Sequence, residues 1–348
     1  MIDYHNHLIF QENNVLTALG KLDSLAPDAI LFVVDSENRL LGSLTDGDIR
    51  RGLLKGLSLD ESIKKFIEPN PRFIRQEEVI VEELIRLRDR HFKLVPVLDK
   101  NGVILKIINL RLLKSYLPVD VVIMAGGRGE RLRPLTDNTP KPMLHVGNKP
   151  IIEHNIDRLV NFGIENIWIS VKYLGEQIVD HFKDGESKQV NIKYIQEEVA
   201  LGTLGAVSLI DTFVNDTILV MNSDLLNNID FEAMYVQFKE CQADLMISTI
   251  SYEVNIPYAI LDIDNSVITA LNEKPVKTYL ANAGVYLLKR SVLNLLPYNK
   301  FYDATDLIDQ ALKLGYKVVP FNHLGYWLDI GKHSDFEKAQ KDIHNLRF

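Results

Sequence analysis

The residues best suited to chemistry lie in one glycine-rich, cationic segment that follows an apolar stretch at 119–124. Its small residues leave room for backbone N–H groups to turn toward phosphate oxygens: Ala125, Gly126, Gly127 and Gly129. Its cations follow within a few residues of one another: Arg128, Arg131, Arg133 and Lys141. In a chain of net charge −8, this local positive charge predicts an anionic ligand. We expect that ligand to be a nucleoside triphosphate.

Two familiar phosphate-binding loops do not fit this spacing. A Walker loop carries Lys-Ser or Lys-Thr directly after its last glycine, whereas Gly129 is followed by Glu130. A dinucleotide-binding fingerprint that started at Gly127 would need its third glycine at the position of Leu132. The remaining interpretations are a different kind of triphosphate loop and an ordinary basic surface turn after a core strand.

A second candidate group is a carboxylate at the end of the apolar stretch 219–224. A strand-end residue such as Asp224 is well placed to bind Mg2+, which prefers a few carboxylates together with phosphate oxygens and water. The same residue could instead cap the following helix. Upstream, segment 197–206 contains Gly202 and Gly205, which would open space for a flat base against the backbone.

These residues need a scaffold, and the sequence from 118 onward predicts an α/β fold. Strand-like and helix-like stretches alternate as strand 119–124, helix 150–162, strand 166–171, helix 173–183, strand 190–195, helix 203–210 and strand 217–221. Such alternation predicts parallel strands with right-handed crossovers and helices on both faces. Ligands of such sheets bind beyond the carboxyl ends of the strands, where the glycine-rich segment would lie.

The first third of the chain contains an internal repeat, in which 30–53 aligns with 94–117 at an offset of 64 residues. Each copy reads as an apolar strand, an Asp-led turn, a second strand and a helix. Between the copies, the spacing of apolar residues over 78–91 predicts a further helix. Such a duplication predicts two copies of one α+β module, about 1–62 and 63–117, packed together.

Length and composition limit the function classes. At 348 residues the chain suits two domains, 1–117 and 118–348. No apolar run approaches the ~18 residues of a membrane span and no signal-peptide pattern opens the chain, so we expect a cytoplasmic protein without a membrane partner. Cys241 is the only cysteine, which excludes an intrachain disulfide and a cysteine metal cluster. An isoelectric point near 5.6 argues against nucleic acid as a partner.

Over its whole length, 119–142 resembles the signature G-G-x-G-x-R-L-x-P-L-T-x-x-x-P-K-P of the sugar-1-phosphate nucleotidyltransferases. Four further motifs resemble that family in the same order: 197–206, 219–224, the pair 271–275 and 281–286, and 326–331. The resemblance implies that 118–348 is a Rossmann-like catalytic domain of the GT-A kind, with a mainly parallel sheet. It also implies that a sugar 1-phosphate attacks the α-phosphorus of a nucleoside triphosphate and releases pyrophosphate.

The resemblance implies a role for each matched residue. Catalysis, with Mg2+ bound by the two aspartates, would fall to Arg131, Lys141, Asp224 and Asp329. The nucleotide would contact Ala125, Gly126, Gly127, Arg128, Gly129, Glu197, Gly202 and Thr203. The sugar phosphate would contact Glu273, Lys274, Asn282 and Gly284. On composition alone, Glu273 and Lys274 are better interpreted as a solvated charge pair in a turn before Pro275.

The first third resembles a tandem pair of cystathionine-β-synthase (CBS) domains, which implies a regulatory module. In that family a Thr or Ser at the end of the second strand and an Asp three residues later hold an adenosine nucleotide. The first copy keeps both, as Thr45 and Asp48, whereas the second copy has Asn109 and Leu112. The same Thr45 to Asp48 stretch would also make a helix N-cap with acidic residues in the first turn.

The combination of the two halves resembles the CBS-containing guanylyltransferases of bacterial surface-sugar synthesis. It implies glucosamine 1-phosphate as the sugar, for legionaminic acid synthesis, and GTP as the nucleotide, from the Leu-Gly-Thr-x-Gly-Ala pattern at 201–206. Mannose, heptose or glucose 1-phosphate with GTP, UTP, CTP or dTTP are alternatives. An interpretation of another class is a non-catalytic, nucleotide-sensing regulatory subunit. Since CBS pairs commonly associate, we also expect a homo-oligomer.

Overall fold

The structure is a computed structural model that describes residues 4–76 and 80–346. It divides into two compact units, one up to Tyr116 with Asn161–Gly163, and one made of Leu117–Val160 with the chain from Ile164 onward. Each unit buries apolar clusters of its own. Within the described part of the chain, no helix is long and apolar enough to cross a membrane.

The first unit contains two three-stranded sheets of the same design. Its first half consists of β1 (Leu8–Phe10), α1 (Val15–Ser24), β2 (Leu31–Val34), β3 (Leu40–Leu44) and α2 (Asp46–Leu54). Its second half consists of β4 (Ile74–Arg75), α3 (Val81–Asp89), β5 (Leu94–Leu98) and β6 (Ile104–Asn109). In each sheet the first strand is parallel to the second, and the second is antiparallel to the third.

The predicted repeat is confirmed, and the two copies also share the same irregularity in strand pairing. The strand pairing shifts register after Val33 in the first sheet and after Val97, 64 residues later, in the second. Asp35 and Asp99 open the two turns in the same way, because each carboxylate accepts hydrogen bonds from the backbone N–H groups two and four positions later. The two sheets share one buried apolar cluster between them. The first unit is therefore a duplicated α+β module, and its assignment as a CBS pair stays a prediction.

The second copy lacks the helix that the repeat predicts at its end. Residues 110–112 form only a turn after β6. Asn109 caps this turn by accepting from the backbone N–H groups of Arg111 and Leu112. Pro118 then favours extended backbone in the residue before it, so a helix cannot continue toward the second unit's first strand.

The helix predicted over 78–91 is confirmed as α3, although Glu78 and Val79 lie outside the described residues. Its buried face is formed by Val81, Leu84 and Leu87. Their three-residue spacing keeps them on one side of the helix.

The second unit is an α/β structure. Its first elements are β7 (Asp120–Met124), β8 (His145–Val146), β9 (Lys149–Pro150), α4 (Ile151–Asn161), β10 (Asn166–Val171), α5 (Gly175–Phe182), β11 (Asn191–Gln196), β12 (Thr217–Asn222), β13 (Leu225–Asn227) and α6 (Phe231–Glu240). The chain continues through β14 (Leu245–Asn255), β15 (Ile260–Asp264), β16 (Val267–Asn272), β17 (Val276–Lys289), α7 (Ala304–Lys313), β18 (Val318–Asn322), β19 (Trp327–Asp329) and α8 (His333–Asp342). Where the sequence predicts a helix over 203–210, the structure has a short 3₁₀ helix, Gly205–Leu209.

A seven-stranded sheet in the order β11-β10-β7-β12-β17-β14-β18 forms the centre of this unit. The four strands from β11 to β12 are parallel, and β14 is parallel to β18. The predicted α/β fold with a mainly parallel sheet is therefore confirmed, with one correction. β17 is antiparallel to β12 and to β14, because it returns from an excursion that starts at the end of β14.

That excursion, residues 251–280, is here called the arm. It comprises the outer halves of β14 and β17 and the hairpin of β15 and β16, and no residue in it is buried. The hairpin pairs Leu261 with Leu271 and Ile263 with Ile268. Because residues directly opposite each other face the same side of a ribbon, these pairs give the hairpin an apolar, exposed face.

Candidate active site

The glycine-rich loop and the first aspartate leave the central sheet side by side. The N–H group of Ala125, after β7, donates to the Ser170 carbonyl at 2.9 Å. The N–H group of Ser223, after β12, donates to the Met124 carbonyl at 3.2 Å. The loop and Asp224 thus start at the carboxyl ends of neighbouring parallel strands, the edge at which such sheets bind ligands.

Gly126 packs against the buried side chain of Glu197. One carboxylate oxygen of Glu197 accepts from the Ser170 hydroxyl, and the other accepts from the Leu201 backbone N–H at 3.1 Å. A Cβ on Gly126 would lie 2.6 Å from the first of these oxygens, whereas a Cβ on Gly127 would meet nothing within 4 Å. The loop therefore packs closely against Glu197 at Gly126 and has free space beside Gly127. The predicted contact of Glu197 with a nucleotide stays a prediction.

Gly129 turns the loop back toward Lys141. Its φ of +62° lies in the left-handed region, and a Cβ there would stand 2.9 Å from the Cβ of Lys141. The Thr136 hydroxyl donates to the Gly129 carbonyl at 2.9 Å. The Arg128 guanidinium lies over the Tyr173 ring, 6.0 Å from its centroid. These contacts hold the loop in one shape and bring Lys141 beneath it.

The fold brings Asp224 and Asp329 together through a two-stranded ladder. β13 and β19 are antiparallel, with Leu225 opposite Asp329. The Ile330 N–H group also donates to the Asp224 carbonyl at 3.1 Å. Asp224, directly before β13, and Asp329, the last residue of β19, thus meet at one end of this ladder although they are 105 positions apart in the sequence.

Asn155 on α4 holds the turn that carries Asp224, and the sequence analysis did not single it out. Its side chain is 2% exposed, and its amide donates to the Leu225 carbonyl at 2.8 Å and to the Ser223 carbonyl at 3.4 Å. Its oxygen accepts from the Asn227 amide at 3.3 Å. The available signal was a polar residue among the inward-facing positions of a predicted amphipathic helix.

Lys141 is the counter-ion of the aspartate pair. The residue is 9% exposed, and its ammonium forms a charged hydrogen bond with Asp224 and lies 3.9 Å from Oδ1 of Asp329. That Asp329 oxygen is buried and has no hydrogen-bond partner in the described part of the chain. Burial and the neighbouring Asp224 carboxylate raise the pKa of Asp329, against the opposing effect of Lys141 and Arg131.

The two aspartates fit Mg2+ by donor type. This ion takes oxygen ligands and is usually held by one or two carboxylates together with substrate phosphates and water. The buried Oδ1 of Asp329 is an atom that a cation would satisfy. Residues 4–76 and 80–346 contain no group of three or more His, Cys, Asp or Glu side chains that could hold a metal. The protein would therefore supply two ligands, and substrate and water the rest.

The second predicted nucleotide segment is fixed by Asp303, at the start of α7. Its carboxylate accepts from the backbone N–H and the hydroxyl of Thr203 at 2.9 and 3.1 Å. Gly202 has a φ of +73°, and a Cβ on it would lie 2.7 Å from the same carboxylate. The glycine is thus required by the packing of this segment, and its contact with a base stays a prediction.

Asn282 and Gly284 lie on β17, beside the end of β12. The Asn282 amide donates to the Tyr286 hydroxyl, and its oxygen accepts from the Gly284 N–H, both at 2.9 Å. Gly284 has a φ of +72°, and a Cβ on it would lie 2.7 Å from the amide nitrogen of Asn222. Asn222, two positions before Asp224, is a second polar residue of this edge that the sequence analysis did not single out.

Glu273 and Lys274 follow β16 in the exposed arm. Both lie on the arm and are exposed, and neither has a hydrogen-bond or ion-pair partner among the described residues. Lys274 adopts a φ of +45° in the turn before Pro275. Their surroundings are those of a solvated charge pair, and their contact with a sugar phosphate stays a prediction.

In the first unit, Thr45 and Asp48 form a reciprocal capping box at the start of α2. The Thr45 N–H donates to the Asp48 carboxylate at 2.9 Å. In the second copy, the equivalent Asn109 and the neighbouring Arg111 instead bind the buried carboxylate of Asp28. The capping interpretation is therefore confirmed, and the adenosine-nucleotide role of Thr45 and Asp48 stays a prediction.

Comparison with known proteins identifies relatives of this site. The sequence model described as "Nucleotidyl transferase" matches residues 120–345. The chain is 34% identical over 230 residues to the bifunctional protein GlmU of Methanocaldococcus jannaschii, covering 64% of this chain and 54% of GlmU. It is 30% identical over 233 residues to the mannose-1-phosphate guanylyltransferase of Mycobacterium tuberculosis, covering 65% of this chain and 64% of that protein. The chain thus spans about half to two thirds of the length of these curated relatives.

A solved structure from Bacillus anthracis resembles the chain with a TM-score of 0.55 and 27% sequence identity. The match covers 66% of this chain and 97% of that one. That protein is provisionally assigned as a glucose-1-phosphate thymidylyltransferase and was solved in complex with sucrose. The similar proteins thus carry names with different nucleotides and different sugars.

Proposed function

Because this chain belongs to the nucleotidyl transferase family, we propose that it is a sugar-1-phosphate nucleotidyltransferase. In this proposal it transfers a nucleotidyl group from a nucleoside triphosphate to a sugar 1-phosphate and releases pyrophosphate. The observation that carries the proposal is the meeting of Asp224, Asp329 and Lys141 beside a glycine loop that is open at Gly127. A carboxylate pair for a cation, next to a cationic loop for phosphates, is what two phosphate-bearing substrates require.

The chemistry needs neither a covalent intermediate nor a strong base. The oxygen of the sugar phosphate is already an anion, and it attacks the α-phosphorus in line while pyrophosphate leaves. The difficulty is the approach of two anions, so the residues act through positioning and charge.

Each proposed residue neutralises or orients a phosphate. Backbone N–H groups of the glycine loop and the Arg131 guanidinium would hold the triphosphate. Lys141 would bind the α-phosphate, and Lys274 would bind the sugar phosphate. Asp224 and Asp329 would hold Mg2+, which supplies further charge neutralisation when it is bound.

For the substrates, we propose GTP and glucosamine 1-phosphate, with the product serving legionaminic acid synthesis. The preference for guanine is supported by the Leu-Gly-Thr-x-Gly-Ala pattern at 201–206 and by the guanylyltransferase of Mycobacterium tuberculosis among the relatives. Mannose or heptose 1-phosphate with GTP, and glucose 1-phosphate with dTTP, are the competing pairs.

The test is pyrophosphate release with Mg2+, across GTP, ATP, UTP, CTP and dTTP against the 1-phosphates of glucosamine, mannose, glucose and N-acetylglucosamine. We expect one productive pair with GTP. Arg131→Ala and Asp224→Asn should each lower turnover by orders of magnitude with the fold intact, since the first removes a cation from the triphosphate and the second removes a ligand of Mg2+. Asp309→Asn, in an exposed ion pair on α7, is the matched control and should turn over like the wild type. Wild-type rates in Arg131→Ala and Asp224→Asn would contradict the assigned roles.

The competing function is a nucleotide-sensing subunit without catalysis. The aspartate pair with its buried lysine argues against it, because a protein that only binds a nucleotide has no need for two carboxylates at the phosphates. Nucleotide binding in a calorimeter, together with no pyrophosphate release from any substrate pair, would favour the sensor.

We further propose that the first unit binds an adenosine nucleotide at Thr45 and Asp48. The duplicated module and the hydroxyl and carboxylate at the start of α2 support this, since a helix N-terminus favours phosphate. AMP, ADP or ATP should raise the melting temperature of the wild type and change its kinetics. No change with any of the three would remove the proposal.

We also propose a homo-oligomer in which the arm contributes to the contact. Eleven large apolar side chains of the arm are exposed: Tyr252, Val254, Tyr258, Leu261, Ile263, Val267, Ile268, Leu271, Val276, Tyr279 and Leu280. Among them, Leu261, Ile263, Ile268 and Leu271 share one side of the hairpin, and a second copy packed there would remove them from water. Ile263→Asp should therefore shift the mass measured by light scattering to that of the monomer. Leu324→Asp, at an exposed leucine outside the arm, is the control and should leave the mass unchanged.

A further inference from the structure

Lys141 and a divalent cation would compete for the same pair of carboxylates. The Lys141 ammonium is hydrogen-bonded to Oδ2 of Asp224 and lies 3.9 Å from Oδ1 of Asp329, so it already offsets one of the two negative charges. Mg2+ binds carboxylate oxygens at about 2.1 Å. Two cations on one carboxylate repel each other at such short distances. A divalent cation should therefore bind Asp224 more weakly while the Lys141 ammonium stays on it.

The backbone of Lys141 is fixed, whereas its ammonium can move. The residue begins a 3₁₀ helix between Pro140 and Pro142, and its Cβ lies against Gly129, where an added Cβ would come within 2.9 Å. The side chain beyond Cβ is an unbranched chain with several rotatable bonds. The ammonium can therefore swing from the aspartate pair toward the glycine loop without a change of fold.

An ammonium that leaves Asp224 needs another anion. Lys141 is only 9% exposed, and a charge with so little contact with water is costly unless it is paired. Gly129 brings the phosphate loop directly onto Lys141, so a triphosphate bound there would offer the new partner. The same triphosphate would supply metal ligands that the described residues do not, since they offer only two carboxylates at this site.

We propose that Lys141 couples metal binding to triphosphate binding. Without a triphosphate, the Lys141 ammonium competes with the divalent cation for Asp224. With a triphosphate, the ammonium moves to a phosphate oxygen and releases the carboxylate. This rests on the proposed function only in that the loop binds a triphosphate. By linkage, each ligand then raises the affinity for the other by the same factor.

The test is Mn2+ binding, measured by electron paramagnetic resonance at equal free Mn2+, with and without inorganic triphosphate. Inorganic triphosphate serves as the probe because it does not depend on which base the protein prefers. The wild type should bind Mn2+ at least about tenfold more tightly when triphosphate is present, within the usual range of such couplings. Lys141→Met should bind Mn2+ about tenfold more tightly than the wild type without triphosphate, and should gain much less from it.

Two further variants complete the test. Lys141→Arg keeps the charge and should keep the coupling, whereas Lys141→Gln, which removes the charge but keeps a polar end, should behave like Lys141→Met. Lys313→Met, in an exposed ion pair on α7, is the control and should bind Mn2+ like the wild type. Melting temperatures identify a variant that fails to fold. If Lys141→Met or Lys141→Gln fails, the Mn2+ affinity of the other neutral variant tests the proposal.

The proposal is overturned if the neutral variants bind Mn2+ no more tightly than the wild type without triphosphate. It is also overturned if triphosphate leaves the wild-type affinity for Mn2+ unchanged. Neither outcome depends on turnover. Coupling without any pyrophosphate release would contradict the proposed enzyme and support the role of Lys141, whereas turnover without coupling would do the reverse.

Discussion

Replacing Gly126 by alanine tests how the glycine-rich loop packs against Glu197. The added Cβ would stand 2.6 Å from Oε1 of Glu197 and 3.2 Å from its carboxyl carbon, whereas ordinary contact begins near 3.4 Å. Glu197 cannot move aside easily, because it is 6% exposed and both of its oxygens accept hydrogen bonds, from Ser170 and Leu201. The loop or the carboxylate must therefore shift by several tenths of an ångström.

The size of the effect follows from this overlap. Forcing an extra carbon into a packed site costs about 1–3 kcal/mol, and we expect the middle of that range for Gly126→Ala. In a domain of 150–250 residues each kcal/mol lowers the melting temperature by about 2–4 °C, so we expect a fall of about 4–8 °C. Gly127→Ala is the matched control, since its Cβ meets nothing within 4 Å, and its melting temperature should be that of the wild type.

Calorimetry measures both the melting temperature and the binding of triphosphate. Gly127→Ala should bind triphosphate more weakly despite its unchanged stability, because the methyl group takes space that a phosphate oxygen would occupy. In a Glu197→Ala background, Gly126→Ala should cost much less than it does alone, which would identify Glu197 as the colliding group. An unchanged melting temperature for Gly126→Ala in the wild-type background would refute the steric argument.

Two other predictions concern buried polar contacts. Arg111 and Asn109 hold the pKa of Asp28 below its ordinary value of 3.8, so the stability they contribute is present above that pH and lost as the pH falls below it. In urea unfolding, Asp28→Asn should have a lower free energy of unfolding than the wild type at neutral pH, and this free energy should fall less steeply below pH 3.8. Equal slopes of the free energy of unfolding against pH in the two proteins would contradict this. Asn155→Ala leaves the Leu225 carbonyl buried without its donor, which costs about 1–3 kcal/mol. It should lower both the melting temperature and kcat, and an unaffected kcat would contradict a positioning role.

The local structure at the centre of the second unit was predictable because β7 and β12 are buried almost throughout. The predicted strand 166–171 is β10 to the residue, since an apolar run bounded by polar residues leaves few alternatives. The position of the glycine-rich loop was predictable from the same strand pattern. A segment that follows a parallel strand starts at the carboxyl edge of the sheet, where ligands bind.

The neighbours of each strand were not predictable in this way. The arm has the alternation of β-strands, yet nothing in that alternation says that β17 returns antiparallel beside β12 and β14. The pairing of β13 with β19, which joins Asp224 to Asp329, is likewise set by the whole fold, and only the resemblance to a family related the two residues. In the first unit the repeat predicted both copies, but the lost last helix depended on Asn109 and on the chain's departure toward Pro118.

The aspartate pair is an argument for function because the fold gains nothing from it. Carboxylates that serve stability in this chain are hydrogen-bonded, as Asp28 is by Arg111 and Asn109. Oδ1 of Asp329 is instead buried without a hydrogen bond among the described residues, and this burial, together with the neighbouring Asp224, raises the pKa of Asp329. Lys141 reduces this penalty but does not remove it, since its ammonium is 3.9 Å from that oxygen. Two like charges kept together under these conditions support the proposal that Asp224 and Asp329 hold Mg2+ at the reacting phosphates.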